Sequence, residues 1–330
     1  MPPKKGCGTK REAKTDKEEE EQPPQKKTKE KNEQEEQVQE EQPPQDGGVR
    51  RREKTTAKEK QQPVDESKGA KVLEKGHIYF LYRPKMDTEE VESAEDVQRV
   101  YMLLKPYWQS CSSRKPTLLV LGRKKLPEVQ QHSRYWGFVA QASDNMDDIT
   151  GAFKEHSYET KTRGKRTVQA ARPVGEGVYQ ITTHKGHSHL VYMLTLPDEP
   201  HDVQKAFNID KQASIVINVK NPDKGSPPGT GLPTKQKAEF PEELMKTFMD
   251  RRFTPLETSE YLNYNNCQLV LVGGTEDVKG ELGKVGQELE KMEKEDEEQI
   301  KHVGVDKKVF DDLELEQKQN PVEPLKGNWA

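Results

Sequence analysis

The sequence predicts an α+β fold: a single domain with a mostly antiparallel sheet, barrel-like closure being one option, several short helices, and disordered tails on both sides. Three observations carry this. Apolar residues are confined to the middle of the chain. Within that block they recur with the period-two alternation of half-buried strands. The strand-like runs outnumber the helical ones and adjoin in hairpin pairs, which argues against a βαβ arrangement. Of the 330 residues, 30% are hydrophobic and 34% are charged, too polar for one globular unit of the full length.

In chain order, residues 1–73 read as a charged low-complexity tail. Up to residue 75 there are 19 Lys/Arg against 18 Asp/Glu, with too few apolar groups to offset the entropy of ordering the chain. Lys4, Lys5, Lys10 and Arg11, and then Arg50, Arg51 and Arg52, form two basic knots of the kind that serve nuclear import or phosphate contact. The folded domain is placed at 74–275, long enough for one hydrophobic core. Its strands are HIYFLYRP (77–84), TLLVLG (117–122), RYWGFVAQA (134–142), VYQITT, HLVYMLTL, SIVINV (214–219) and CQLVLVGG (267–274). SAEDVQRVYMLLKPYW (93–108) has apolar residues at 97, 100, 101, 103 and 104 behind a Ser93 cap, which predicts a helix. DNMDDITGAFK, DEPHDVQKAF and PEELMKTFMDRR predict shorter ones. From 276 to 303, apolar residues at 282, 285, 289 and 292 make one stripe on a charged, solvated helix ending at Gly304. Residues 304–330 form an acidic segment ending near Trp329, either a frayed terminus or a short docking peptide.

Two hairpins can be drawn residue by residue. In YETKTRGKRTVQ (158–169) a turn at Arg163–Gly164 sets Thr162 opposite Lys165 and Lys161 opposite Arg166. That crowds Lys161, Arg163, Lys165 and Arg166 at one tip, and facing like charges destabilise a hairpin. An anionic partner would account for them. In VYQITTHKGHSHLVYML a turn at Lys185–Gly186 sets His184 opposite His187. His189 then shares their face, expected to be the wet one, while Tyr179, Ile181, Leu190, Tyr192 and Leu194 form the buried face.

GHIYFLYRPK, RYWGF, YETKTRG, ARPVGEGVY, VKNP and the terminal PVEPL with Trp329 resemble an uncharacterised family found in fungi, algae, plants and bacteria. Its fungal members often carry the automatic label "BTB domain transcription factor". The resemblance covers about residues 76–275 and the extreme C-terminus. The label implies a nuclear role, but a BTB fold is mainly helical and this block is strand-rich. The family supplies no catalytic residues to carry over.

The leading functional expectation is a non-enzymatic protein that binds nucleic acid or another polyanion. Its candidate contacts are Lys161, Arg163, Lys165, Arg166, Arg172, Arg123, Lys124 and Lys125. Arg251 and Arg252 could join them, and Tyr135, Trp136 and Tyr158 could stack on bases. The alternative is an adaptor that docks a protein partner through the acidic helix and the Trp329 segment; an enzyme of unrecognised chemistry is third. His184, His187 and His189 form a weak metal candidate, and no cofactor is expected. KGSPPGTGLPTK (224–235) imitates a phosphate-binding loop, but its glycine spacing and Pro233 fit no Walker sequence, so it reads as a plain loop. Glu176, between Gly175 and Gly177, reads as part of a turn before a strand. Cys7, Cys111 and Cys267 are far apart, with no metal-ligand spacing. The N-terminal MPPKKGCG has no apolar leader core and no apolar run approaches roughly 18 residues. The expectation is a nuclear or cytoplasmic protein, neither secreted nor in a membrane.

Overall fold

Eleven strands are present in the computed structural model, which describes residues 70–108, 113–162, 164–227, 230–233, 235–315 and 320–330. Residues 1–69 of the predicted N-terminal tail, Cys111 and Arg163 lie outside the described residues, whereas residues 70–73 of that tail are described and run into the first strand. The strands are β1 (Lys71–Pro84), β2 (Val97–Pro106), β3 (Thr117–Leu121), β4 (Arg134–Ala142), β5 (His156–Thr160), β6 (Gly164–Val168), β7 (Arg172–His184), β8 (His187–Leu196), β9 (Gln212–Lys220), β10 (Phe253–Pro255) and β11 (Gln268–Gly273). Eight of them close into an antiparallel barrel in the order β1-β2-β3-β4-β11-β9-β8-β7, with β7 returning to β1. The two edges that an open sheet would leave are thereby paired. β10 extends the C-terminal half of β9, and β5–β6 is a separate hairpin.

Alternation decides what fills the barrel. Phe80, Met102, Leu119 and Val139 are register partners on four successive strands, and each is at most 1% exposed. Tyr179, Ile181, Leu190, Tyr192 and Leu194, the predicted buried face of the second hairpin, join the same core. Full burial of each such side chain is worth about 1.5–3 kcal/mol relative to exposure.

The predicted helix over 93–108 is a strand. Only Ala94–Asp96 is helical, a single 3₁₀ turn capped by the Ser93 hydroxyl, which accepts from the Glu95 amide. The rest is β2, buried on both faces. Val100, Met102 and Leu104 point inward, and Tyr101 and Leu103 point outward beneath a helical layer. A strand covered on both sides reads as a continuous apolar run, which matches a helical template equally well.

Helices cover two sectors of the barrel wall. α1 (Met146–Thr150), the turn after it and α6 (Val305–Asp312) lay Ile149, Phe153, Val309 and Phe310 on Tyr79, Leu81, Tyr101 and Leu118. α4 (Val278–Leu282) and α5 (Lys284–Val303) lay Val278, Leu282, Val285 and Leu289 on Val178, Val191 and Met193. The predicted 282/285/289/292 stripe is the docking edge of this second layer, with Met292 at its end. α2 (Asp202–Ala206) and α3 (Glu242–Lys246) bring Val203 and Leu244 into the main core.

Both barrel ends are shut. At one, Arg114 reaches inward to Glu74, Nε to Oε2 at 2.6 Å, and Tyr179 donates its hydroxyl to the same carboxylate at 2.5 Å. At the other, Trp329 sits against Tyr82 and Phe207, with ring centroids 5.9 and 5.6 Å away. The acidic C-terminal segment is therefore docked on its own barrel. Gln204 Nε2 donates to the Pro324 carbonyl at 2.9 Å, and Leu325 is buried.

The first hairpin differs from its sequence register. Thr160 pairs with Gly164, Glu159 with Lys165, and Tyr158 with Arg166. Gly164, paired with Thr160, takes a left-handed φ of +68°, which glycine adopts without strain. Lys165 faces a carboxylate rather than a cation, so the repulsion inferred from the two-residue turn is absent. The second hairpin has the expected register, with Lys185 and Gly186 at φ +50° and +81° and His184 opposite His187. ARPVGEGVY is also not a turn, because β7 runs through it from Arg172.

Candidate nucleic-acid interface

The apolar contacts of the two helical layers do not reach the wall built by β4, β11 and β9. Two outward rows cross it. In one, Trp136, Val270, Asn218 and Pro255 are register partners from β4 to β10. In the next, Arg134, Val272, Val216 and His189 run from β4 to β8. Inward neighbours such as Gly137, Leu269 and Ile217 are buried, whereas Trp136, Phe138, Val270, Val272, Val216 and Asn218 remain half-exposed. Period-two alternation thus leaves aromatic and branched side chains on an uncovered face.

The aromatic rings are organised. Trp136 and Phe138, two residues apart on β4, lie at 6.3 Å with planes only 8° apart, and Phe253 of β10 leans on Trp136 at 6.1 Å. Arg123, exposed after β3, sits 6.0 Å over the Tyr135 ring, a geometry in which the ring quadrupole attracts the guanidinium. A cleft of about 440 Å³ is lined by Arg134, Tyr135, Trp136, Asn218, Phe253, Val270 and Val272. A second, of about 410 Å³, shares Arg134, Tyr135 and Trp136 with it and reaches Arg123, Phe138, Thr230 and Gly231. A third, of about 760 Å³, shares Asn218 and Val272 and extends to His132, His184, Lys185, His187 and His189. The shared residues make these one groove. Its aromatic middle is bounded by arginines at one end and by imidazoles and Lys185 at the other. Glu281, in the third cleft, is the one acidic residue among those lining the three.

The predicted cations have separate fates. Lys161, Lys165 and Arg123 are exposed. Arg166 pairs with Asp87 at 2.5 Å, and Asp87 also accepts from the Thr167 amide, fixing the hairpin to the β1–β2 connection. Lys124 donates to the Val97 carbonyl at 2.6 Å, and Lys125 pairs with Glu128 at 3.0 Å. Arg172 is turned inward: it is 7% exposed and donates to the carbonyls of Ala330 and Glu89. Of the predicted stacking groups, Tyr135 and Trp136 line the groove, and Tyr158 is exposed on the hairpin. Sequence reasoning missed Phe138, Phe253, Arg134 and His132. The signal for the first was present, since RYWGF places Trp136 and Phe138 on one side of a strand.

The histidines correct the expectation of a wet face. His187 is exposed and His184 half-buried, but His189 is only 4% exposed, beneath α4. Its Nδ1 lies 3.0 Å from the Ser214 hydroxyl and 3.9 Å from Glu281. Burial lowers the proton affinity of His189 below the ordinary imidazole value, and the Glu281 carboxylate only partly opposes this. The unfolded chain therefore takes up this proton first. The contribution of His189 is complete above about pH 6.5 and is lost as pH falls from there through its lowered value in the folded protein. Thermal melts from pH 7.5 to 5.5 should show stability declining in the wild type, with a smaller decline in His189→Gln. An identical decline in the two would contradict the assignment.

No family model matches the chain, and no curated protein or solved structure is detectably similar to it. No helix among the described residues is long and apolar enough to cross a membrane.

Proposed function

We propose that the protein is a binding module for single-stranded nucleic acid, held in the groove across β4, β11 and β9. The observation that carries this is the uncovered row of stacked rings, Trp136 and Phe138 with Phe253, continuous with Arg123 and Arg134. Unpaired bases have flat apolar faces that stack on aromatic rings, and their phosphates need cations nearby. A duplex hides those faces. Lys161 and Lys165 on the hairpin, and the basic knots of the N-terminal tail, would add phosphate contacts from a nuclear or cytoplasmic protein.

The test is a titration of the full chain with fluorescent oligonucleotides, single- and double-stranded, at about 50 and 200 mM salt. Single strands are expected to bind preferentially. Three phosphate contacts would weaken binding roughly 20-fold across that range, from a slope of about 0.7 per contact. Trp136→Ala with Phe138→Ala should remove about 1–3 kcal/mol for each base stacked, with the fold checked by circular dichroism. Preference for duplex, or unchanged affinity in the double variant, would reject the reading.

A further inference from the structure

The geometry points to a divalent transition-metal site, with zinc as the ion its donors suit, built from His77, Glu176 and Asp296 between the barrel wall and α5. It is separate from the groove and does not rest on nucleic-acid binding. His77 lies on β1, Glu176 on β7 and Asp296 on α5. Their donor atoms all lie within 4.8 Å of one another. His77 Nδ1 is 3.4 Å from Asp296 Oδ1 and 3.7 Å from Glu176 Oε1. Metal–ligand bonds of about 2.0–2.1 Å in a tetrahedron set neighbouring donors about 3.3–3.4 Å apart, so these separations need only a small contraction. Imidazole nitrogen and carboxylate oxygen are both donors that zinc takes, and three protein ligands leave a fourth position for water.

The charges support a cation. Glu176 and Asp296 side chains are 0% and 1% exposed, yet Glu176 Oε2, Asp296 Oδ2 and His77 Nδ1 have no hydrogen-bond partner. Lys308 of α6 sits beside them, donating to Glu176 Oε1 at 2.9 Å and to Asp296 Oδ1. One ammonium thus faces two buried carboxylates, and the neighbouring Asp312 is matched by Lys105 at 3.2 Å. A divalent ion would exchange with the Lys308 ammonium and neutralise both carboxylates. The His77 side chain is 18% exposed, which gives the ion and a water an approach.

Full-length protein stripped with a chelator and then freed of it would be titrated with Zn²⁺ alone by calorimetry, with parallel thermal melts. The wild type is expected to bind one equivalent and melt higher. Asp296→Asn should bind more than about 100-fold more weakly, beyond the loss seen when only an outer partner is removed. Lys308→Met, which removes the competing cation, should bind more tightly. The lysine variant provides a second readout should Asp296→Asn fail to fold. Absence of stoichiometric zinc heat in the wild type would overturn the site, as would wild-type affinity in Asp296→Asn. Unchanged affinity in Lys308→Met would overturn the exchange.

Discussion

Arg114→Ala is expected to cost about 3–5 kcal/mol, the range for stranding one partner of a buried ion pair. Arg114 is 4% exposed and Glu74 is fully buried inside the barrel. The guanidinium also donates to the Lys115 carbonyl at 3.0 Å, to Thr117 Oγ1 at 3.2 Å and to Asn263 Oδ1 at 2.5 Å. It therefore ties the start of β3 and the 259–263 turn to β1. Without it, Glu74 keeps only the Tyr179 hydroxyl among the partners described above. Urea melts would measure the loss. The double variant Glu74→Leu with Arg114→Leu should recover much of it, because replacing both buried charges with apolar groups is often neutral. A loss below about 1 kcal/mol in the single variant would show that the pair does not hold this end of the barrel shut.

Gly177→Ala should cost about 3 kcal/mol, at the upper end of overpacking. A Cβ at this position would lie 2.1 Å from the Met193 carbonyl oxygen and 2.9 Å from the Leu194 Cα. Both are backbone atoms of β8, so no side chain can rotate away and the β7–β8 ladder itself must shift. Gly186→Ala is the control. A Cβ there meets nothing within 4 Å, and only its φ of +81° is penalised, by about 1–2 kcal/mol. Melting both variants under one condition separates crowding from conformational strain. Equal losses would contradict the close approach.

Much of the barrel was legible in the residues. RYWGFVAQA is β4 residue for residue, and the Lys185–Gly186 turn fixed the β7–β8 register because few residue pairs accept two positive φ values. β2 was not legible, because the strand is apolar on both faces, and only the pairing with β1 and β3 decides between strand and helix. The first hairpin slipped because a glycine in the left-handed region, here Gly164, does not by itself fix which residues pair across the turn. The candidate groove was half legible. Trp136 and Tyr135 could be named, but which sector of the wall lies uncovered depends on where α4–α6 dock. Asp296 was unreadable as a ligand: it lies among many acids on α5, and only packing brings it to Glu176 and His77.

The most direct test of the groove is photocrosslinking of the full chain to a 4-thiouridine-labelled single-stranded RNA, with the adducts mapped by mass spectrometry. Adducts on Trp136, Phe138 or Phe253 are the predicted result. Adducts confined to the 156–168 hairpin or to the N-terminal tail, or no adducts at all, would contradict it.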